Sequence, residues 1–450
     1  MPSPEDEKKN LPEDSHYEEP EEESDCDDPP VSDGEETVIS PHPPQFLEEN
    51  HLDLTISWQK SYRSPVGNVP EDTPPAVETV LRGETLEGSP VKELLERYTK
   101  LTASGSLAFS ENLHLVRLLG SGGQGRVYLS YRQGVDRFKV PVAFKFFSPS
   151  TFASVEKYLA FMANHAKVAA IVNQIQQDNL LNVHNWRHIQ GIRVMEMEWV
   201  DGYDLNRLMT YRMYDWLKEN LPENRWKNMK KVVVTEGITR PRLKSGIVMK
   251  IIRDCLNALS VLHEHHVIHG DIKCSNIMLK RTGSAKIIDI GGAFLVTDKS
   301  PLAAYTPHYA APEVLDPAGG TSAAGNHRIT GQSDLASLGY VMIELLSGCY
   351  LFGDIPQNSS YTENLLAAKR RLADNLQAIF PNDVWQDKLL VDFCRRLTHH
   401  DLSKRFVSAQ DAILGIGGLA DVIRQLMRGD LVSEFDFDIR SWISSLDEWE

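Results

Sequence analysis

The segment His269-Gly270-Asp271-Ile272-Lys273-Cys274-Ser275-Asn276 sets a carboxylate, an amine and an amide on one short loop between two strongly apolar patterns. Upstream, Val248, Ile252, Cys255, Leu259 and Leu262 recur at three- and four-residue intervals, which predicts a helix with one buried face ending near His263 to His269. Downstream, Ile277 to Leu279 and Ala285 to Ile288 read as a strand pair, and thirteen residues past Asn276 a second carboxylate stands in Asp289-Ile290-Gly291. A loop so framed leaves a rigid support, unlike a surface turn beside a lone strand. His263, His265 and His266 have no matching second group of ligands and read as solvated or packed histidines.

A second segment lies far away in the chain. Gly120-Ser121-Gly122-Gly123-Gln124-Gly125-Arg126-Val127 fits GxGxxGxV between the apolar runs 113–119 and 127–129. Glycines let backbone N–H groups approach phosphates without a Cβ in the way, although such a run alone also suits an ordinary hairpin turn. Twenty residues after Gly125, Lys145 is the one cation in the strand-like run Val142-Ala143-Phe144-Lys145-Phe146-Phe147, and a lysine among aromatics needs an anionic partner. A glycine hairpin followed by a strand lysine differs from a glycine loop that opens a helix, which argues against P-loop and Rossmann readings.

Together these segments resemble the catalytic loop, metal-binding triplet and glycine-rich loop of protein kinases. The resemblance implies an α+β, two-lobed protein-kinase-like fold with a small antiparallel β-sheet N-lobe and a mainly helical C-lobe. It implies ATP and Mg2+ as cofactors, with Asp271 as the base that orients the attacking hydroxyl and Asn276 and Asp289 as the magnesium ligands. Lys273 would offset charge on the transferred phosphoryl group. Gly120, Ser121, Gly122, Gly123, Gln124 and Gly125 would cover the phosphates, and Lys145 would meet the α- and β-phosphates. The family orients that lysine with a glutamate on the next helix; Glu156, the only acid from 146 to 177, is the candidate, its other reading being a first-turn acid that suits the helix dipole.

Met195 to Leu205 is similar to the strand and hinge between kinase lobes. By that likeness Met197 is the gatekeeper, backbone groups of the connector at Glu198 and Val200 bind adenine, Asp204 meets the ribose, and Val127, Ala143 and Met278 sandwich the ring. Tyr305-Thr306-Pro307-His308-Tyr309-Ala310-Ala311-Pro312-Glu313 resembles the end of an activation segment, and Ser333 to Gly339 the start of the buried helix that follows. Small-molecule kinases also read His-Gly-Asp but lack that segment. Arg405 matches the arginine that pairs with the Ala-Pro-Glu glutamate, so Glu313 and Arg405 are expected in a buried salt bridge. Lys273 with Thr306 is the pattern of serine/threonine-directed members, so protein substrates phosphorylated on those hydroxyls are implied, with a pseudokinase scaffold or switch as the alternative. Departures from the family are Gly270 for an arginine that gathers activation-loop phosphate, Ile290 for phenylalanine, and the early position of Glu156.

The remaining sequence is organised around this domain. Residues 1–40 hold sixteen acids and two lysines, −14 of a total −16, and residues 1–90 read as an acidic disordered head, either a solubilising leader or a tail that binds partners or regulates the chain. Residues 91–111 read as a linker whose Val91, Leu94, Leu95, Tyr98 and Leu101 form a short amphipathic helix. An N-lobe is expected over 112–200, a C-lobe over 201–427, and an acidic, aromatic tail over 428–450, read as a helix that packs back on the large lobe or else as a docking tail. Two insertions stand out: 316–330, a glycine- and alanine-rich loop, and 218–244, net +5, read as a solvated loop or else a docking site for acidic substrates, an anionic surface or the acidic head. Five scattered cysteines suggest reduced thiols in a cytoplasmic protein, and no run is long and apolar enough for a membrane span. Neither a membrane nor nucleic acid is an expected partner.

Overall fold

The structure, a computed structural model, describes residues 38–39, 90–103, 115–297, 304–316, 329–428, 435–446 and 449. Its smaller lobe is a five-stranded antiparallel sheet of β1 (Arg117–Gly122), β2 (Gly125–Gln133), β3 (Lys139–Phe147), β4 (Val183–Ile189) and β5 (Ile192–Glu198) in the order β1-β2-β3-β5-β4. β3 is apolar on both faces, and Val142, Ala143, Phe144, Phe146 and Phe147 are all buried. Helix α1 (Pro90–Ala103) and helix α2 (Val155–Gln174) complete the lobe. Leu94, Tyr98 and Leu101 of α1 are buried, and Thr102 ties the helix to the sheet by accepting from Tyr128 Oη at its carbonyl and from Arg126 at its hydroxyl. Helix α1 thus carries its apolar stripe inward.

The larger lobe is built on α3 (Ser245–Glu264) and α4 (Gly331–Ser347). From Ser333 to Ser347 every residue of α4 is buried, as befits a helix apolar on most sides. A Thr330–Ser333 capping box starts it, and Gly348 at φ +65 ends it in the left-handed conformation that glycine adopts without penalty. A small sheet orders β6 (Gly202–Asp204), β7 (Ile277–Lys280) and β8 (Ala285–Ile287) as β8-β7-β6, and the catalytic-loop segment runs from the end of α3 into β7.

Glu313 and Arg405 form the expected buried salt bridge at 2.8 Å. The basic stretch 218–244 is not a solvated loop: it holds the helix Glu223–Val232 and a hairpin of Val234–Thr235 with Arg242–Leu243. Trp226 meets Tyr214 edge-on at 4.9 Å, and Met229 and Val233 are buried, so an apolar stripe docks this segment despite its net positive charge. Three of its cations are also spent internally, Arg240 on Glu344 (2.7 Å), Arg242 on Asp383 (2.8 Å) and Lys230 on Glu236 (2.8 Å).

The tail packs on the large lobe through α5 (Phe435–Ser444), burying Ile439, Trp442, Ile443 and Leu446. Lys250 of α3 pairs with Asp436 at 3.1 Å, and Tyr203 donates to the Leu446 carbonyl. Val38 and Ile39 pair antiparallel with Tyr305 and Ala304. The rest of the acidic head, and residues 317–328 of the glycine- and alanine-rich insertion, lie outside the described residues.

Candidate active site

The catalytic-loop backbone is anchored from below. Asp334, fully buried on α4, accepts from the backbone N–H groups of His269 (2.8 Å) and Gly270 (2.9 Å) and lies 2.9 Å from His263 Nε2. Burial opposes its charge, but the His263 ring and these donors hold its carboxyl below the usual range. Gly270 sits at φ +76, a conformation an arginine adopts only under strain, so the departure from the family pattern suits the backbone here. Beyond the anchor, Asp271 accepts at Oδ1 from the Thr306 amide (3.0 Å) and hydroxyl (2.7 Å), while Lys273 Nζ donates to Thr306 Oγ1 at 2.8 Å and lies 3.3 Å from Asp271 Oδ2. Asn276 donates from Nδ2 to the Asp271 carbonyl at 2.8 Å. Asp271, Lys273, Asn276 and Thr306 thus form one buried network from two distant stretches of chain.

On the other side of the cleft, β3 places Lys145 between Val127 of β2 and Met195 of β5. Its Nζ lies 2.8 Å from both carboxylate oxygens of Asp289 and 2.7 Å from Gln124 Oε1. Asp289 also accepts from Gly291 N at 2.8 Å. Burial disfavours its charge, but Lys145 outweighs it and brings the carboxyl down to about 2. The glycine loop therefore touches the Asp289-Ile290-Gly291 segment through Gln124, whose side chain occupies the space a Cβ on Gly291 would take. Gly125 (φ +145) is required by contact, because a Cβ there would lie 1.9 Å from the Phe146 carbonyl oxygen, whereas Gly120 and Gly122 face open space. Ser121 and Gly123 are exposed beside them.

The residues expected around adenine fall on matching walls. Ala143 is opposite Met197 across the β3–β5 ladder, both buried, with Val200 buried just beyond and Val127 and Met278 half-buried. Glu198 turns its carboxylate to Lys286 and the Asn182 amide, and its backbone N–H donates to the Asn182 carbonyl at 3.0 Å. Asp204 caps the helix Leu205–Leu208 by accepting from Arg207 N at 3.0 Å, and burial raises its carboxyl above the usual range.

Glu156 does not orient Lys145. It stands exposed in the first turn of α2, where its own backbone N–H, with help from the hydroxyl of the N-cap Ser154, holds its carboxyl low. The buried stripe of α2 runs Tyr158, Met162, His165, Val168, Ala169 and Val172, and Glu156 lies off it. The member of that stripe that shares a neighbour with Lys145 is His165: its ring lies 5.3 Å from that of Phe147, and Lys145 Nζ lies 5.3 Å from the same ring. The three- and four-residue spacing of the stripe was the signal available in the sequence.

Among the described residues there is no cluster of three or more His, Cys, Asp or Glu side chains that could hold a metal. Asp289 and Asn276 nevertheless fit magnesium, which prefers hard oxygen donors and takes most of its ligands from water and phosphate rather than from a protein cage.

Comparison with known proteins agrees with this geometry. A family model described as "Protein kinase domain" matches residues 113–413. The chain is 27% identical over 265 residues to serine/threonine-protein kinase PknH of Mycobacterium bovis, covering 55% of this chain and 37% of that protein. It is 30% identical over 175 residues to serine/threonine-protein kinase PAK 1 of Mus musculus, covering 38% and 29%. Against the probable serine/threonine-protein kinase PknB of Lactococcus lactis it is 26% identical over 246 residues, covering 53% and 32%. The chain thus spans about a third of the length of the curated relatives it matches. A solved kinase domain, PknI of Mycobacterium tuberculosis, aligns at 20% identity with a TM-score of 0.44, covering 72% of this chain and 98% of that one. With the family model matching residues 113–413 of 450 and both lobes and the Asp271–Lys273–Thr306 network in place, this chain belongs to the protein kinase domain family.

Proposed function

We propose that the chain is an ATP- and magnesium-dependent protein kinase that transfers the γ-phosphate to serine or threonine hydroxyls of protein substrates. The observation that carries this reading is the Asp271–Lys273–Thr306 network, in which a carboxylate, a cation and a hydroxyl are fixed within 3.3 Å of one another. Asp271, held by Thr306 and Asn276, orients the attacking hydroxyl and takes its proton. Lys273 sits where it can offset charge on the transferred group. Asp289 and Asn276 would hold magnesium, which when bound neutralises phosphate charge. Lys145 binds the α- and β-phosphates, and the loop from Gly120 to Gly125 covers them with backbone N–H groups. Ala143, Met197, Val200, Val127 and Met278 enclose the adenine, with Asp204 near the ribose. The four described cysteines are free, which fits a cytoplasmic place in signalling.

A second reading, a pseudokinase that binds partners or switches on nucleotide, draws support from one observation. Lys145 is closed off by Asp289 and Gln124, and α2 brings no carboxylate to it. Transfer of labelled γ-phosphate to a generic basic protein with magnesium separates the two. Incorporation into serine or threonine that is lost in Asp271→Asn supports the kinase; magnesium-ATP binding without any transfer supports the switch.

A further inference from the structure

His165 has no place in the chemistry so far, yet it is the polar residue at the centre of the buried face of α2. Its ring packs 5.3 Å from Phe147, 5.5 Å from Trp186 and 6.2 Å from Phe161, the last in a stack. Lys145 Nζ lies 5.3 Å from the same Phe147 ring, so the lysine and the histidine share one aromatic neighbour. His165 Nε2 is buried and has no hydrogen-bond partner. Packing does not account for that atom, because phenylalanine or leucine would fill an aromatic cage without leaving a polar group unsatisfied. The sequence of α2 contains one acid, Glu156, and it points to solvent.

We propose that His165 is the residue that positions Lys145 for nucleotide, its Nε2 accepting the hydrogen bond from Nζ that a helix carboxylate supplies elsewhere in the family. The inference rests on the nucleotide site proposed above. When Asp289 turns to a metal-bound nucleotide, Lys145 gives up its present partner, and the unpartnered nitrogen on α2 takes the donor that is released. A histidine serves here only as the neutral ring, protonated on Nδ1. Burial and the positive charge of Lys145 keep it neutral, bringing it down to about 4, against the opposing pull of Asp289, the other charged group that faces it. A neutral acceptor neutralises none of the lysine's charge. Lys145 therefore keeps its full attraction for phosphate while its direction is fixed.

The test uses the full chain and measures the dissociation constant for magnesium-ATP by calorimetry, beside the melting temperature. His165→Phe and His165→Leu remove the acceptor and retain apolar bulk, while His165→Gln retains an acceptor. Both acceptor-less variants should weaken binding by about tenfold, with melting temperatures equal to or above that of the unchanged protein, and His165→Gln should stay within about threefold. In a Lys145→Ala background the added change at His165 should have no further effect, as a coupled pair requires. Binding within about twofold of the unchanged protein in both acceptor-less variants, or a loss that persists in Lys145→Ala, would make His165 a packing residue and overturn the proposal. A chain that binds magnesium-ATP yet transfers no phosphate ends the kinase reading while the histidine is still judged by binding; a chain that binds none overturns both.

Discussion

Lys145 and Asp289 face each other as a bidentate pair, Nζ 2.8 Å from each carboxylate oxygen, across the seam between sheet and catalytic loop. Each is therefore the other's partner in this conformation, and a nucleotide with its metal, bound as proposed above, would have to part them. Lys145, at 6% side-chain exposure, is the more enclosed of the two, against 26% for Asp289. The carboxylate is thus the freer member to move.

That division of labour separates two carboxylates in experiment. Asp271→Asn should lower phosphoryl transfer by at least about 100-fold, since general-base catalysis supplies that order of rate, and leave magnesium-ATP binding within about threefold. Asp289→Asn should instead weaken magnesium-dependent nucleotide binding. Steady-state rates and calorimetry on both variants check this, and equal transfer by Asp271→Asn and the unchanged protein would remove Asp271 as the base.

Acid stability should report the buried imidazole. His165 binds its proton near pH 6.5 when unfolded but only near about 4 when folded, so between these values the unfolded chain holds more protons. Its contribution is whole above pH 6.5, declines as pH falls through that window, and changes no further below it. The loss amounts to about 3 kcal/mol at most. Denaturant unfolding at pH 7.5 and 4.5 should show a smaller pH dependence in His165→Phe than in the unchanged protein.

Glu313→Gln should destabilise the large lobe. Arg405 is fully enclosed on its pair with Glu313, and leaving a buried charge without its counter-charge costs about 3–5 kcal/mol. Arg405 also donates to the carbonyls of His399 and Gln332, so the lower end is expected. Thermal unfolding measures it, and an unchanged midpoint would show that the carbonyls suffice.

Activation should depend little on phosphate. Gly270 stands where an arginine would gather a phosphorylated segment, and Thr306 is already engaged by Asp271 and Lys273. Protein dephosphorylated to completion should keep most of its transfer rate. A loss of about tenfold, restored by rephosphorylation at Thr297, Ser300, Tyr305 or Thr306, would mean that another cation does the gathering.

Legibility followed the kind of signal. The helix before the catalytic loop, the strand pair after it, the glycine hairpin and the strand lysine each announce themselves by local periodicity or by residues with few alternatives. The Glu313–Arg405 bridge, 92 residues apart, was reachable only through family resemblance. Glu156 has the charge type of the family's partner but not the helical phase: it lies two residues ahead of Tyr158, off the stripe that continues through Met162 and His165. In the stretch 218–244, likewise, a net charge of +5 says nothing of Trp226, Met229 and Val233 three and four residues apart. The contact between Gln124 and Gly291 had no local signal at all, because it joins two loops that only the folded chain brings together.

The family match closes at residue 413, but the large lobe does not. Gly246 on α3 has no room for a side chain because the Phe435 ring lies 2.3 Å from where its Cβ would be, and Gly283 meets the Asp436 backbone in the same way. These glycines are sockets cut for the tail. A fragment ended at the homology boundary would uncover them together with the seat of Trp442, and with it an apolar surface of the kind that makes excised domains aggregate. For this chain the unit of descent and the unit of folding end in different places, and any attempt to express the catalytic domain alone should carry the sequence through Trp449.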